Sequence, residues 1–538
     1  MKKILFILAL LSGSIVSAQV DFFPYLLEIN PVEMPSLPGL HSYAHAQHDG
    51  KWLIIGGRTD GLHNRTPNTA FPAASNNTNI FVIDVKEKQY WSASVNGLST
   101  NLKEQLQTTN MNFIQDGSRL YFTGGYAFSA SRANHITFPF IIVVDVPGLI
   151  QAVMNQTDIS SFFAQIHDER FAVSGGQMGK IGETFYLIGG HRFDGRYNPV
   201  GGPSFTQEYT NQIRKFKIAP NIGPFAIVEY ETITDPVHLR RRDYNLVPQI
   251  FAFEKQGYMI SSGVFQINAD LPFLYPVDIT EEGYTPRTNF NQYLSHYHGA
   301  KVGVYDKENK QMHSLFFGGM SQYYYENGEL IQDNLVPFTK TISRVTRYED
   351  GNLQEYLIPV EMPGLQGASA EFIPNLTLPI YDNKVVKLSE IKEESILLGH
   401  IYGGISSPTR NPFANNQTNT TTANPSIYEI KLIKSPISGI PPIDGSNPFD
   451  VLVFPNPFED KITVRFHLDK TTKTDYYLTN IHGQIIKQGE FTNQAKGRNE
   501  LIINIPNHPS IQFLILTIVF EDKFYVSKKI LKNQLFPD

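Results

Sequence analysis

The side chains with most to offer a ligand are arginines and histidines set at recurring places in the chain. Arg58, His191 and Arg192 follow directly on an apolar run ending in Gly-Gly, and Arg241, Arg242, His296 and His298 stand just ahead of apolar stretches. His41, His45, Arg170, Arg240 and Asp243 share the second setting. Guanidinium forks pair bidentately with carboxylates and phosphates, so a ring of arginines suits an anionic ligand such as a sugar acid. Tyr126, Phe193, Tyr197 and the run Tyr323-Tyr324-Tyr325 offer faces for stacking sugars or packing a protein partner. The plainer role for each Arg is an ion pair between neighbouring elements, and for each His a hydrogen-bonded turn. His296 and His298, one residue apart on a strand, point to one side and could chelate, but no carboxylate stands at a matching spacing, so no metal site is expected. There is no Gly-rich phosphate loop with a Lys, no His-Glu-x-x-His and no Gly-x-Ser-x-Gly. No catalytic residue and no cofactor is assigned.

The elements that must position these groups repeat along the chain. An apolar strand ending in Gly-Gly occurs as Trp52-Leu53-Ile54-Ile55-Gly56-Gly57, Leu120-Tyr121-Phe122-Thr123-Gly124-Gly125 and Phe185-Tyr186-Leu187-Ile188-Gly189-Gly190. It returns as Leu315-Phe316-Phe317-Gly318-Gly319 and His400-Ile401-Tyr402-Gly403-Gly404, with a degenerate copy at Ile260-Ser261-Ser262-Gly263. Each unit reads as four strands. In the first they are 42–47, 51–56, 79–85 and 89–95, with Asp49-Gly50 as a hairpin turn; in the third, strands are expected over 171–177, 183–189 and 212–218. The diglycine ends a buried strand where backbones crowd and the chain must leave the sheet with positive φ. The loops after the diglycines are long and share one face with the residues ahead of each first strand, which places the candidates above on a common rim.

This unit resembles the kelch repeat of β-propellers over about three quarters of the chain. The resemblance implies an all-β fold: a six-bladed kelch-like propeller over 19–433, followed by a small C-terminal β-sandwich. The period is longer and less even than the usual kelch repeat, and the Tyr-Trp pair of the family matches well only at Tyr90-Trp91, so five or seven blades stay open. Pro31-Val32-Glu33-Met34-Pro35 recurs as Pro359-Val360-Glu361-Met362-Pro363, after a segment that reads as the fourth strand of the fifth unit. The N-terminal strand is therefore expected to complete the last blade and close the ring.

Both chain ends carry addresses. Lys2 and Lys3, an apolar run over 4–11 and Val16-Ser17-Ala18 form the pattern of a secretory signal peptide over 1–18. A linker rich in Pro, Gly and Ser spans 434–450. Beyond it, 451–538 contains Pro455-Asn456-Pro457, a strand at 462–466, a turn holding Gly483, and the basic end Lys528-Lys529. This module resembles the type A C-terminal sorting domain of the Bacteroidetes type IX secretion system, although Ser510-Ile511-Gln512-Phe513 stands where the family has Gly-x-Tyr. The resemblance implies the type IX machinery as a partner, and a secreted or surface location after transit through the periplasm.

Composition narrows the function. The chain has 538 residues and no Cys, which removes disulfides, thiolate metal sites and Cys nucleophiles. A net charge of -6 with 18% charged residues provides no basic field for nucleic acid. No later segment is apolar for long enough to span a membrane as a helix. The expected role is a secreted or cell-surface binding protein that recognises a glycan or protein through the post-diglycine face. The alternative is a carbohydrate-active enzyme of the sialic acid mutarotase or epimerase type, known among six-bladed kelch propellers; the copper oxidases of that group need a Cys–Tyr crosslink that this chain cannot make.

Overall fold

The computed structural model describes residues 23–66, 68–198, 204–220, 223–435, 442–443, 449–480, 484–505, 513–522 and 524–533. Residues 1–18, expected as a signal peptide, most of the expected linker 434–450, and Gly483 lie outside the described residues. The described chain is all-β, with two short α-helices, Thr100–Gln105 and Val146–Asn155.

Six sheets follow one another, each centred on four antiparallel strands, which in the first five lie side by side in chain order; the fifth also pairs Ala300–Asp306 in parallel with Val386–Lys387. The first is Ala44–His48, Lys51–Ile55, Asn79–Asp84 and Gln89–Ser94; the second is Asn112–Asp116, Arg119–Thr123, Phe140–Asp145 and Phe163–His167. The third is Gln177–Ile181, Thr184–Ile188, Gln212–Ala219 and Ala226–Thr234; the fourth is Asn245–Ile250, Gln256–Ser261, Val277–Thr280 and Gly283–Pro286. The fifth is built on Ala300–Asp306, Gln311–Phe317, Thr341–Arg347 and Leu353–Glu361. The sixth holds Glu371–Pro374, Ser395–Tyr402 and Ile427–Lys434, and its outer strand is the N-terminal Tyr25–Val32. That strand runs antiparallel to Ile427–Lys434 from Tyr25 opposite Lys434 to Val32 opposite Ile427. The two ends of the six-sheet region are thus joined by a strand pair.

The diglycines act as inter-sheet hooks. At all six sites both residues have positive φ, between 55° and 95°, including Ser262 in the degenerate copy. The second residue's N–H donates to a carbonyl just ahead of the next sheet's first strand: Gly57 to Thr108, Gly125 to Val173, Gly190 to Arg241, Gly263 to His296, Gly319 to Gln366, and Gly404 to Leu40. A Cβ on Gly124 would sit 1.7 Å from the Val173 carbonyl oxygen, so close approach as well as φ demands glycine there.

A second set of contacts closes on itself. Two residues ahead of each first strand stand Ser42, Asn110, Gly175, Asp243, His298 and Ser369. Their N–H groups each donate to the carbonyl of the preceding member: Asn110 to Ser42 (3.1 Å), Gly175 to Asn110 (3.0 Å), Asp243 to Gly175 (2.7 Å), His298 to Asp243 (2.8 Å), Ser369 to His298 (2.8 Å) and Ser42 to Ser369 (3.1 Å). One residue from every sheet therefore takes part in a cyclic backbone hydrogen-bond belt. The left-handed φ of Gly175 explains a shift from the expected register. The third unit's first strand begins at Gln177, not 171, because Glu169–Phe171 forms a 3-10 turn and the chain must pass through the belt before it can extend.

The C-terminal module has two facing sheets, Leu452–Phe454 with Lys461–Leu468 and Gly497–Asn504, and Ile485–Gln494 with Thr472–Thr479, Phe513–Phe520 and Phe524–Leu531. Its core includes Phe458, Ile462, Val464, Leu478, Leu514, Leu516 and Ile530, all essentially inaccessible. Alternation of period two along each strand supplies these inward faces.

Candidate functional site

Three hairpins follow diglycines: Tyr126–Ser129 with Asn134–Thr137, His191–Gly195 with Phe205–Tyr209, and Tyr323–Glu326 with Glu329–Gln332. One residue ahead of the belt, Arg242 bridges to Val264 in backbone pairing, as His41 does to Arg58 and Ser174 to His191. These positions project onto the face, and they collect its polar groups.

Arg242 lies at the centre. Its Nη1 donates to the Asp243 carboxylate, its Nε donates to Tyr209 Oη at 3.1 Å, and its guanidinium lies 5.0 Å from the Phe265 ring centroid. Arg240 stacks on the other side of this contact, 3.8 Å above the Tyr209 ring, with its Nε buried and without a hydrogen-bond partner. Arg242, Asp243, Tyr209, Tyr297, His191 and Tyr197 are all half-buried, so solvent reaches the group. Burial, reinforced by the Arg242 cation, holds the His191 pKa well below its ordinary value. Burial likewise brings His63 down to about 4, with Arg242 and Arg58 adding to the effect. The imidazoles are therefore neutral at pH 7, and the guanidiniums supply the positive charge.

The other expected residues go elsewhere. Arg58 is 2% exposed, forks onto the Asp60 carboxylate, and donates to Asn76 Oδ1 at 2.9 Å. Burial opposes the charge of Asp60, yet bonds from His41 and Arg58 pull its pKa to about 2. Arg192 is exposed and paired with Asp194 and Glu169 at 2.7 Å each. Arg241 is fully buried: Nη1 donates to the Ser262 and Tyr275 carbonyls, and its guanidinium lies 3.9 Å from the Phe273 ring centroid. His296 is equally buried, with Nδ1 accepting from the Gln322 N–H and Nε2 2.9 Å from the Gln292 carbonyl oxygen. Arg241 and His296 share one structural position, since the carbonyl of each accepts a diglycine hook, which draws the residue between sheets. Tyr209, Tyr297 and Phe265 carry no signal in the sequence beyond an aromatic in a long loop or beside a histidine.

His298 and His45 face the other way, into a cavity of about 830 Å³ beneath the belt. Its walls are the first strands of all six sheets, and its rim is formed by exposed turns at the opposite face, among them Gly117, Glu183, Glu282 and Lys384. Among the described residues no group of three or more His, Asp or Glu side chains is placed to hold a metal ion.

In the C-terminal module Asn456 ties the chain's two motifs together: Nδ2 donates to the Lys529 carbonyl at 3.1 Å, and Oδ1 accepts from the Leu531 N–H at 2.7 Å. Pro455 and Pro457 flank this clamp, and Lys529 reaches over the Phe513 ring. Residues 452–532 match the secretion system C-terminal sorting domain. The sorting domain rests against the fourth sheet, where Tyr525 packs on Phe273 and Tyr275 at centroid distances of 5.6 and 5.0 Å. Asn268 donates to Asp475 and to Tyr477 Oη there. No helix among the described residues is long and apolar enough to cross a membrane. No curated protein matches the chain. The solved structure of YjhT is similar over 76% of this chain and 99% of its own, with 12% sequence identity and a TM-score of 0.42.

Proposed function

We propose that residues 19–433 form a six-bladed kelch-like β-propeller that is exported through type IX secretion and binds an anionic sugar on its diglycine face. The propeller reading is supported by six sheets in chain order, six diglycine hooks and a hydrogen-bond belt that takes one residue from each sheet. The observation that carries the ligand reading is the convergence of Arg240 and Arg242 on Tyr209. Both guanidiniums contact Tyr209; Arg242 is also paired with Asp243, and among the described residues no carboxylate lies within ion-pair range of Arg240. A ligand carboxylate there would gain two charge-assisted partners, and Tyr197, Tyr209, Tyr297 and Phe265 supply faces for a sugar ring. The sorting domain supports export to the cell surface or beyond. The test is binding of the exported protein to a glycan panel that includes N-acetylneuraminic and glucuronic acids. Selective retention of acidic glycans, lost in Arg242→Ala, is expected; equal retention by that variant refutes the assignment. A competing reading as an epimerase would use Asp243 as acid and base, and turnover of sialic acid anomers by the same preparation would favour it.

A further inference from the structure

The cavity beneath the belt has a polar pole and an apolar wall. Three residues past the belt, about 10 Å along each first strand, stand His45, Phe113, Met178, Leu246, Lys301 and Phe372, one from each sheet, and all line the cavity. Lys301 is neighboured by Glu371, 5% exposed, whose Oε2 lies 4.0 Å from Lys301 Nζ and whose Oε1 lies 3.0 Å from His298 Nε2. At 4.0 Å the ammonium and carboxylate attract but do not share a hydrogen bond. His45 Nδ1 is buried beside them without a partner, its ring edge-on to Phe113 at 5.1 Å. A half-buried ammonium that makes no short bond among the described residues, and a neighbouring imidazole nitrogen without a partner there, leave hydrogen-bonding capacity for a ligand.

The charges of the pole select the ligand. Lys301 and Glu371 cancel, so neither a net anion nor a net cation gains from entering. A pair of adjacent hydroxyls suits it: one oxygen accepts from Lys301 Nζ while the neighbouring O–H donates to the Glu371 carboxylate. Phe113 and Phe372 stand at the same depth and offer rings to the C–H face of a sugar. The volume falls within the range of small-molecule sites.

We propose that this cavity is a second binding site, opening on the face opposite Arg242, for a neutral sugar with a vicinal diol. It does not depend on the anionic-sugar reading, because no residue of the Arg240–Arg242–Tyr209 group other than the belt residue Asp243 reaches it. The site has a polar recognition end at Lys301 and Glu371 and a stacking wall at Phe113.

The test uses saturation-transfer NMR on the full exported chain with glucose, galactose, N-acetylglucosamine and maltose, and separately with N-acetylneuraminic acid. At least one neutral sugar is expected to receive saturation at its ring C–H protons. Lys301→Met should weaken that sugar by about tenfold or more, and Phe113→Ala, which leaves the ion pair intact, should weaken it without unfolding the chain. Arg242→Ala should leave neutral-sugar binding unchanged. The proposal is overturned if no neutral sugar binds the folded chain, if Phe113→Ala binds as well as the parent, or if Arg242→Ala abolishes neutral-sugar binding. Loss of N-acetylneuraminic acid binding alone counts against the other face only.

Discussion

Tyr209 Oη accepts a hydrogen bond from Arg242 Nε at 3.1 Å, joining a hairpin of the third sheet's loop to the residue that leads into the fourth sheet. Because Arg240 covers the same ring, Tyr209 is in contact with two guanidiniums. Preorganised forks bind an incoming carboxylate with little further loss of side-chain freedom.

Arg242→Ala should therefore reduce affinity for an acidic sugar by about tenfold or more, read by calorimetry. Arg192→Ala removes an exposed, already paired guanidinium and should change neither affinity nor stability by more than about 0.5 kcal/mol.

Arg241→Met should behave oppositely. Its guanidinium satisfies the Ser262 and Tyr275 carbonyls in a fully buried position, so removal strands those acceptors. A loss of about 2–3 kcal/mol is expected, seen as a lower denaturation midpoint, with ligand affinity intact once the variant is folded.

Two glycines separate conformational from steric demand. Gly117 has φ 55° with nothing within 4 Å of an added Cβ, whereas Gly124 has φ 67° and the Val173 oxygen at 1.7 Å. Gly117→Ala should cost about 1 kcal/mol. Gly124→Ala should cost about 3 kcal/mol or more, because the inter-sheet hook must shift as well. Urea melts of the two variants compare them directly.

Acid should weaken the fold through its buried histidines before the other carboxylates titrate; Glu355, whose pKa burial raises to about 8, contributes in the opposite sense as pH falls. His45, His63 and His296 have pKa values lowered by burial to about 4, and His191 and His313 lie well below their ordinary value. With folded values below the unfolded 6.5, these groups contribute stability above that pH and lose it as pH falls towards 4. His296 alone should contribute about 2 kcal/mol of this loss by pH 5. Denaturation midpoints measured from pH 7 to 4.5 should fall steadily, and less steeply in His296→Gln; a flat profile would contradict the assignment. Burial opposes the charge of Glu371, but His298 and Lys301 hold its pKa at about 2, so its contribution disappears only below about pH 4.5.

Removing residues 451–538 should hold the chain in the periplasm, as followed by cell fractionation, since the sorting domain carries the export signal. Asn456→Ala should give a milder version, because it frees the last strand near Lys529 and Leu531 while leaving the module's core in place.

Much of the architecture was legible because it is written locally. A strand shows in its period of two, a left-handed pair shows as Gly-Gly, and each is decided within a few residues. The six anchors, the N-terminal strand's likeness to an outer strand, and the Pro455-Asn456-Pro457 module could all be read that way, as could the supply of arginines and histidines. Which of them meets a ligand could not. Arg241 and Arg242 are neighbours with the same chemistry, yet one carbonyl accepts the Gly190 hook and draws its side chain between sheets, while the other side chain turns out to meet Tyr209 from a different sheet's loop. Likewise Lys301 and Glu371 lie 70 residues apart and meet only because the belt aligns their strands. Local pattern determined the strands and hooks; burial, partners and charge were decided by the register of one sheet against the next, since proximity between distant residues exists only once the sheets have packed.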